Sequence, residues 1–478
     1  MKKVNSRREF LGKAASVAAV ASVAPMAGFG KELEQALQQT PQNSAPSQLR
    51  ITDVTCGYIG GSLFVKLDTN QGITGYGEGV DAIAGTYYLV QNMGRRLRNQ
   101  SPLNVNRIFE DIRRGAHFGG GQSGVYVAVL SALECALWDL AGKALGVPVY
   151  QLLGGKFRDK VRVYSDTALY RSNNPAPKEF ADSAVNAVNM GFNAIKFDID
   201  QAGDPNKYDR YNWTTSQGEV IRMYEQLAAV REAVGPKIDI AVDMHGRYDQ
   251  TAALAVAKKV EPLNLLWLEE PVPAENVDSF RIIAQSTSTP IATGENVYLA
   301  YGFKQLLEID GVDAVMPDLQ KCGGLGEGQR IANLANLYYV PFAPHMVATF
   351  LGAMACAHVC ASVPNFLIME WQSYFHTNAM YKEIVKFDEE NWVKDSFIKV
   401  SDKPGIGVDL NLEAMKKYAT RGMPFFESTP ATSGPMPGGG VAPAGGQAPA
   451  GGQAPAGQAP AGQAPAGRQN ARRQNPQQ

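Results

Sequence analysis

Apolar and polar residues alternate from about residue 50 in "LRITDVTCGYIGGSLFVKLDTNQGITGYGEG", with turn residues at Asn70, Gly72 and Gly75. This period of two predicts an antiparallel meander. Apolar residues then recur at helical spacing in "VYVAVLSALECALWDLAGKALG", which ends at Gly146 ahead of Pro148. Residues 50–162 therefore predict a small α+β domain.

Short apolar runs separated by helical stretches follow this domain. Eight of them precede residue 372: "VRVYSDTAL", "NAIKFDI", "KIDIAVDM", "LLWLEE", "PIATGE", "DAVMPDL", "YVPFAPH" and "NFLIME". Strand and helix in alternation imply parallel pairing, and eight units predict a TIM-type (β/α) barrel over residues 163–371. A doubly wound open sheet is the alternative, but "YSDTALYRSNNPAP" after the first strand lacks a Gly-rich phosphate turn.

The two ends of the 478-residue chain differ in composition from a folded domain. Residues 1–30 place Arg7 and Arg8 before an alanine-rich stretch, which predicts a twin-arginine signal, removal near residues 27–30, and a periplasmic or secreted protein. Residues 31–49 are predicted to form a linker. Residues 429–478 repeat Ala-Pro-Ala-Gly units with glutamine, which bury too little apolar area to offset the entropy of ordering, and so predict a disordered tail.

Charge and cysteine content limit the partners. The formal net charge is -1 and charges are scattered, so there is no basic stripe for nucleic acid and a small molecule is the expected partner. No run of about 18 apolar residues follows the signal, so no stable membrane anchor is expected. The five cysteines show no C-x-x-C or Cys/His zinc spacing.

Acidic residues cluster at the predicted strand ends, where a TIM barrel builds its active site. The third to eighth strands end in Asp243, in Glu269 and Glu270, and in Glu295, Asp318, His345 and Glu370. A single such acid is explained as a helix cap, but three carboxylates directed at one point repel one another unless a cation lies among them. Asp243, Glu269 and Glu295, spaced 26 residues apart, are therefore candidate ligands of a hard divalent cation, Mg²⁺ first.

The motifs carry a family resemblance over residues 50 to about 428. "SALECALWDLAGKALGVPVYQLLGG", "WLEEP", "ATGEN", "MPDLQKCGG" and "APH" resemble the enolase superfamily, mandelate racemase subgroup. The resemblance implies a modified (β/α)7β barrel with a capping domain completed by residues 372–428, Mg²⁺ on Asp243, Glu269 and Glu295, and a His345-Asp318 dyad. Such enzymes abstract a proton beside a carboxylate. His345 would be the base, with Asp318 fixing its tautomer.

The second strand separates the reactions of this family. Many members carry Lys-x-Lys there, whereas "AIKFDID" has Lys196 followed by Asp198. The second lysine base is absent, which disfavours a racemase that uses lysine and histidine on opposite faces. Lys196 is expected to neutralise the substrate carboxylate, and Asp198, on the same strand face, to bind or orient the substrate.

The third strand supplies another proton carrier. Asp243 and His245 point the same way if the strand persists to residue 245. "DMHGR" resembles the "DFHGR" of acid-sugar dehydratases in this subgroup, notably galactonate dehydratases, in which the histidine protonates the departing hydroxyl. Dehydration needs two proton carriers, and His345 and His245 would fill these roles. A histidine at the junction of a strand and a loop is otherwise an ordinary surface residue.

Further substrate contacts are predicted at the eighth strand and in the capping domain. Glu370 is expected to hydrogen-bond the enediolate as a protonated acid or to hold a substrate hydroxyl, unless it caps a helix. Tyr58, Arg114 and His117 lie in glycine-rich segments of the capping domain and are candidate substrate contacts in a mobile lid. His358 and His376 are expected to be structural.

These patterns predict an exported, Mg²⁺-dependent lyase that removes water from an aldonate or aldarate to give a 2-keto-3-deoxy acid. A racemase or epimerase of a 2-hydroxy acid, with His345 and His245 on opposite faces, is the first alternative. A non-catalytic exported sugar-acid binding protein is the second, although binding alone does not need three metal-centred acids. Relatives of this kind are commonly homo-oligomers, so we expect one here.

Overall fold

The computed structural model describes residues 45–428 apart from 82–83, 168–173, 202, 208 and 210. The predicted export signal, most of the predicted linker and the repeat tail lie outside the described residues. Within them, two substructures pack together. One is an antiparallel sheet with helices, and the other is a ring of parallel strands surrounded by helices.

The capping domain begins with the predicted meander. Strands β1 (Ile51–Ile59), β2 (Ser62–Thr69) and β3 (Thr74–Gly79) pair antiparallel in the order β1-β2-β3. The helices that follow are α1 (Tyr87–Leu97), α2 (Val105–Gly115), α3 (Gly124–Leu145) and α4 (Val149–Leu152). Helix α3 lies directly on β3. The approach is so close that a Cβ added at Gly77 would stand 2.1 Å from the carbonyl oxygen of Ala132.

Helix α3 corrects one expectation. By length and composition it is apolar enough to cross a membrane, whereas the sequence was expected to contain no such run. In the structure 78% of the most apolar 18-residue stretch of this helix is buried inside the protein. Its apolar residues pack against β3 on one side and the barrel on the other, so tertiary packing accounts for its composition.

Parallel strands form the barrel. They are β4 (Lys160–Asp166), β5 (Ala194–Asp198), β6 (Asp239–Asp243), β7 (Trp267–Glu269), β8 (Ile291–Thr293), β9 (Ala314–Val315) and β10 (Met369–Gln372). The sheet order is β10-β4-β5-β6-β7-β8-β9. The ring closes through Phe342, which forms parallel bridges to Val315 and to Phe366 just before β10. Phe342 thus marks the seventh of eight strand positions, and β10 occupies the eighth.

Seven helices follow the first seven strand positions. They are α5 (Pro177–Asn189), α6 (Gln217–Val234), α7 (Gln250–Val260), α8 (Val277–Ala284), α9 (Leu299–Glu308), α10 (Leu325–Leu337) and α11 (Phe350–Ser362). After the eighth strand the chain leaves the barrel through short elements. The predicted fold class, a (β/α)7β barrel with an α+β capping domain, is confirmed.

The C-terminal elements return to both substructures. They are α12 (Tyr374–Thr377), α13 (Met380–Glu383), β11 (Val385–Lys386), β12 (Phe397–Lys399), β13 (Asp409–Leu410) and α14 (Leu412–Met415). Strand β12 pairs antiparallel with β4, and the backbone N–H of Phe426 donates to the carbonyl of Cys56 in β1. The last described residues therefore lie against the meander.

Buried carboxylates of the capping domain cap two barrel helices. Glu134 in α3 accepts hydrogen bonds from the backbone N–H groups of Leu325 and Gly326, at 2.7 and 2.9 Å, at the start of α10. Glu78 in β3 accepts from the N–H groups of Thr349 and Gly352, at 2.8 and 3.2 Å, at the start of α11. Since free N–H groups and a positive dipole end favour an anion at a helix N-terminus, both contacts join the capping domain to the barrel.

Candidate active site

One layer of residues inside the barrel fixes where the site lies. Its members are Tyr164, Ala194, Ala241, Trp267, Ala292, Ala314, Met316, Ala343 and Ile368. Side chains two positions apart on a strand share a face, so the residues that follow this layer line the mouth of the barrel. This spacing places Lys196, Asp243, Glu269, His345 and Glu370 together, and a further step of two from Met316 adds Asp318.

The three predicted metal ligands meet at this mouth. Asp243, Glu269 and Glu295 each offer a carboxylate oxygen, and these oxygens all lie within 4.8 Å of one another. The side chains of Asp243 and Glu269 are fully buried, and that of Glu295 is 12% exposed. Burial and the neighbouring charge of Asp243 raise the pKa of Glu269 well above 4.5.

The surroundings of this triad fit a divalent cation. Oε2 of Glu269 accepts a hydrogen bond from Nε1 of Trp267 at 3.1 Å, while its Oε1, also buried, has no hydrogen-bond partner among the described residues. An unpartnered buried carboxylate oxygen beside two further carboxylates is a ligand set for a hard cation such as Mg²⁺. These contacts support the expected cation site.

Lys196 lies among the same acids. Its Nζ is 3.2 Å from Oδ2 of Asp243, 3.4 Å from Oε2 of Glu269 and 3.1 Å from Oε1 of Glu370. Burial opposes its charge, but these carboxylates raise the pKa of Lys196 well above 10.5. Lys196 is thus a fixed cation at the floor of the site. It lies next to the position where the carboxylate of a substrate would bind a metal ion.

His345 and Asp318 form the predicted dyad. Nδ1 of His345 lies 2.8 Å from Oδ2 of Asp318, and Nε2 lies 2.8 Å from Oε2 of Glu295. Burial alone favours a neutral imidazole, but Glu370, Glu295 and Asp318 raise the pKa of His345 well above 6.5. Asp318 is fully buried, so it fixes the ring with Nε2 facing the mouth.

His245 reaches the site by a different route from the one expected. Strand β6 ends at Asp243, and His245 has a left-handed backbone with φ of 48°. Its backbone N–H donates to Oδ1 of Asp243 at 2.7 Å, and its Nε2 lies 3.8 Å from Oδ2 of the same carboxylate. The condition that the strand persists to residue 245 is therefore not met, yet a tight turn places the imidazole beside the triad. Burial opposes the charge, but the hydrogen bond that the His245 ring donates to Asp200 and the charge of Asp243 raise the pKa of His245 to about 10.

Asp198 joins His245 and Asp243 in a second cluster of ligand-type atoms within 4.8 Å. Burial, and then the charge of Asp166, raise the pKa of Asp198 to about 8. Asp166, at the end of β4, was not singled out from the sequence. Its signal was its spacing of two residues from Tyr164, one member of the interior layer.

Glu370 differs from the expectation of a protonated acid. Its Oε1 lies 3.1 Å from Nζ of Lys196, and its Oε2 accepts from the backbone N–H of Met346 at 2.9 Å. Although burial opposes ionisation, Lys196 and His345 lower the pKa of Glu370. These contacts and the lowered pKa favour the other predicted role of Glu370, in which its carboxylate accepts a hydrogen bond from a substrate hydroxyl.

Among the described residues, the three predicted capping-domain contacts form no hydrogen bond or ion pair with the triad. Tyr58 is buried in the capping-domain core, where its hydroxyl hydrogen-bonds Oγ1 of Thr86 at 2.9 Å. The Arg114 side chain is 76% exposed and pairs with Glu110 in its own helix. His117 lines a cavity of about 710 Å³ that also includes Asn296 and Tyr298. The contacts of Arg114 and His117 with a substrate remain predictions, whereas the buried hydroxyl of Tyr58 is already engaged by Thr86.

The remaining acid and the two remaining histidines named in the sequence analysis have structural partners. Glu270 accepts from Oγ1 of Thr293 and from Nδ2 of Asn296, and does not join the triad. His358 is buried in α11, where its Nδ1 accepts from the backbone N–H of Tyr150, as expected for a core histidine. His376 accepts from Nε1 of Trp371 at 3.0 Å.

Comparison with known proteins places the chain in a family. Residues 34–154 match the model of the mandelate racemase / muconate lactonizing enzyme N-terminal domain, and residues 179–415 match the enolase C-terminal domain-like model. A D-xylonate dehydratase from Haloferax volcanii is 37% identical over 381 residues, which cover 79% of this chain and 90% of that protein. A D-galactonate dehydratase from Variovorax paradoxus is 32% identical over 366 residues, which cover 76% and 92%.

A solved structure agrees with these relatives. The mandelate racemase/muconate lactonizing enzyme-like protein from Rubrobacter xylanophilus matches with a TM-score of 0.76 and 41% identity, covering 80% of this chain and 100% of that one. The dehydratases named above are hydro-lyases, and the prediction that this chain is an enzyme of that class is confirmed. The chain belongs to the enolase superfamily, in the family of mandelate racemase and muconate lactonizing enzyme.

Proposed function

We propose that this protein is a Mg²⁺-dependent dehydratase that converts an acid sugar to a 2-keto-3-deoxy acid. The observation that carries the proposal is the position of two histidines around the triad. His345 follows the seventh strand position and His245 the third, so they stand four positions apart in a ring of eight, on opposite sides of the mouth. Removal of a proton and loss of a hydroxyl at neighbouring carbons need two such groups.

His345 would start the reaction. A proton beside a carboxylate is very weakly acidic, and a bound Mg²⁺ would supply a Lewis acid for the negative charge that develops on the carboxylate oxygens. Lys196 adds a fixed positive charge on the same side. A bound cation would offset the charge of Glu295, which raises the pKa of His345, and so favour the neutral imidazole. Nε2 of His345 then takes the α-proton, while Asp318 holds Nδ1 and stabilises the imidazolium that forms.

His245 would complete the reaction. As the C–O bond at the β-carbon breaks, the electron pair of the enediolate forms the new C=C bond, and His245 donates a proton so that the hydroxyl leaves as water. The resulting enol then takes a proton at the β-carbon to become the 2-keto-3-deoxy acid. Asp198, beside His245, would orient a substrate hydroxyl.

The substrate class is inferred from relatives together with this chemistry. Proteins named D-xylonate and D-galactonate dehydratase share the family and over 30% identity with this chain. We therefore infer an aldonate, with aldarates as the neighbouring class. Export by the twin-arginine route to the periplasm or medium, and assembly into a homo-oligomer, are further parts of the proposal.

A substrate screen tests the proposal. Wild-type protein is incubated with Mg²⁺ and a panel of aldonic and aldaric acids, and the 2-keto-3-deoxy product is measured alongside His345→Asn. We expect product from at least one five- or six-carbon aldonate with the wild type only. Deuterium incorporation from solvent at the α-carbon without loss of hydroxyl would instead support the epimerase alternative, which the opposed histidines also permit.

A further inference from the structure

We propose that Asp200 is a positioning residue that holds the imidazole of His245 in the orientation needed for loss of water. The inference rests on the proposed function, because it assigns a supporting group to the proposed acid. Asp200 was not singled out from the sequence, although it lies two residues beyond Asp198 in "KFDID".

The contact involves the ring nitrogen that faces away from the triad. Nδ1 of His245 lies 3.1 Å from Oδ1 of Asp200, while Nε2 lies 3.8 Å from Oδ2 of Asp243. The Asp200 side chain is only 4% exposed, whereas that of His245 is 32% exposed. A buried carboxylate on Nδ1 fixes the tautomer and the ring orientation, so Nε2 is the nitrogen presented to the substrate.

The backbone alone does not fix this imidazole. His245 lies beyond the end of β6 in a left-handed conformation, where the regular alternation of strand side chains no longer applies. Gly246, the next residue, also has a positive φ of 61°. A side chain on such a turn needs a partner of its own if it is to keep one rotamer.

Asp200 is itself held from two directions. Its neighbour Ile199 donates a backbone N–H to the carbonyl of Asp243 at 3.0 Å, which ties the loop to β6. Nη1 of Arg247 lies 2.6 Å from Oδ2 of Asp200 as an ion pair. The carboxylate therefore has little freedom to leave Nδ1.

The same construction appears across the barrel mouth. Asp318 follows the sixth strand and contacts Nδ1 of His345 after the seventh, while Asp200 follows the second strand and contacts Nδ1 of His245 after the third. In each case the carboxylate comes from the preceding strand position. The two histidines thus have equivalent supports, four strand positions apart.

The test separates loss of water from removal of the α-proton. Asp200→Asn and Asp200→Ala are compared with His245→Asn and with the double variant Asp200→Ala/His245→Asn. We expect kcat for dehydration to fall at least tenfold in Asp200→Asn and about a hundredfold in Asp200→Ala, with KM within threefold of wild type. Solvent deuterium exchange at the α-carbon should stay within threefold, and the double variant should be no slower than His245→Asn alone.

Asp204→Ala is the matched control. Asp204 is a buried acid of the same loop that contacts Asn206 and Arg222 and not His245. The Asp204→Ala substitution should leave the ratio of dehydration to α-proton exchange unchanged. Thermal melting of every variant shows whether it is folded. Equal loss of exchange and dehydration in Asp200→Asn, or independent effects in the double variant, would overturn the inference.

The outcome for the wild type separates this inference from the proposed function. If wild type and Asp200→Asn dehydrate the substrate equally well while His245→Asn is inactive, the role of Asp200 is overturned and the proposed function is not. Absence of product from the wild type with every acid sugar would overturn the proposed function and this inference with it.

Discussion

Nε2 of His345 lies 2.8 Å from Oε2 of Glu295, so one carboxylate contacts the candidate base and also belongs to the candidate cation site. Asp318 holds the other nitrogen of the same ring. The imidazole is therefore fixed between a fully buried carboxylate and a partly exposed one. Changes at the cation site and at the base are expected to affect each other.

Removal of the cation should abolish activity and lower stability. A ligand that binds only the folded state stabilises it by about 2.7 kcal/mol at a hundredfold excess over Kd. We expect Mg²⁺ to raise the melting temperature of protein treated with EDTA and to restore turnover. Glu269→Gln should lose this thermal shift. Glu270→Gln, which changes the adjacent carboxylate outside the triad, should keep it, and a shift in both variants or neither would contradict the assignment.

The two histidines should differ in the step they affect. His345→Asn removes the proposed base, so dehydration and α-proton exchange should both fall by about 10²- to 10⁴-fold. His245→Asn should lose dehydration by a similar factor and keep exchange. Product formation and deuterium incorporation measured on one sample report both steps. Loss of exchange in His245→Asn would show that this residue acts before the C–O bond breaks.

Loss of the Glu134 carboxylate should destabilise the fold. Glu134→Ala leaves the N–H groups of Leu325 and Gly326 buried without their acceptor, at a cost on the order of 3 kcal/mol. Glu134→Gln keeps one amide acceptor and should cost less. Urea denaturation measures the free energy of unfolding. Glu225→Ala, an exposed glutamate within α6, is the control and should change stability by less than about 0.5 kcal/mol.

His358 should make stability fall in mild acid. Burial lowers the pKa of His358 from 6.5 to about 4, while the unfolded chain takes up a proton near pH 6.5. The unfolded state thus binds more protons between these values, and stability present above pH 6.5 is lost as the pH falls towards 4, by about 3 kcal/mol in total. His358→Gln should flatten this part of the unfolding profile, and an unchanged profile would exclude His358 as its source.

The N-terminal arginines should direct export. Replacement of Arg7 and Arg8 by lysine keeps the charge but removes the twin-arginine pair, so the protein should remain in the cytoplasm with residues 1–30 attached. Cell fractionation and intact mass measure both effects. Lys13→Arg, outside the pair, should be exported as the wild type is. Export of the double lysine variant at the normal level would contradict the twin-arginine prediction.

The barrel and the triad were predictable because both repeat at regular intervals along the chain. The alternation of short apolar runs with helical stretches is visible in one chain, and so is the 26-residue spacing of Asp243, Glu269 and Glu295. The turn at His245 was not, because a left-handed residue at a strand end depends on the contacts around it. The burial of Tyr58 was missed for a similar reason, since its partner Thr86 lies 28 residues away and carries no local signal.

The helix caps at Glu78 and Glu134 also limit how the site can open. Swinging the whole capping domain away from the barrel would break the hydrogen bonds of both caps, at several kcal/mol in total. The turn at Gly60 and Gly61 lines the cavity above α11, and no atoms lie within 4 Å of a Cβ built on either glycine. Admission of substrate and release of product would therefore occur through local displacement of such turns, while the body of the domain stays fixed to the barrel.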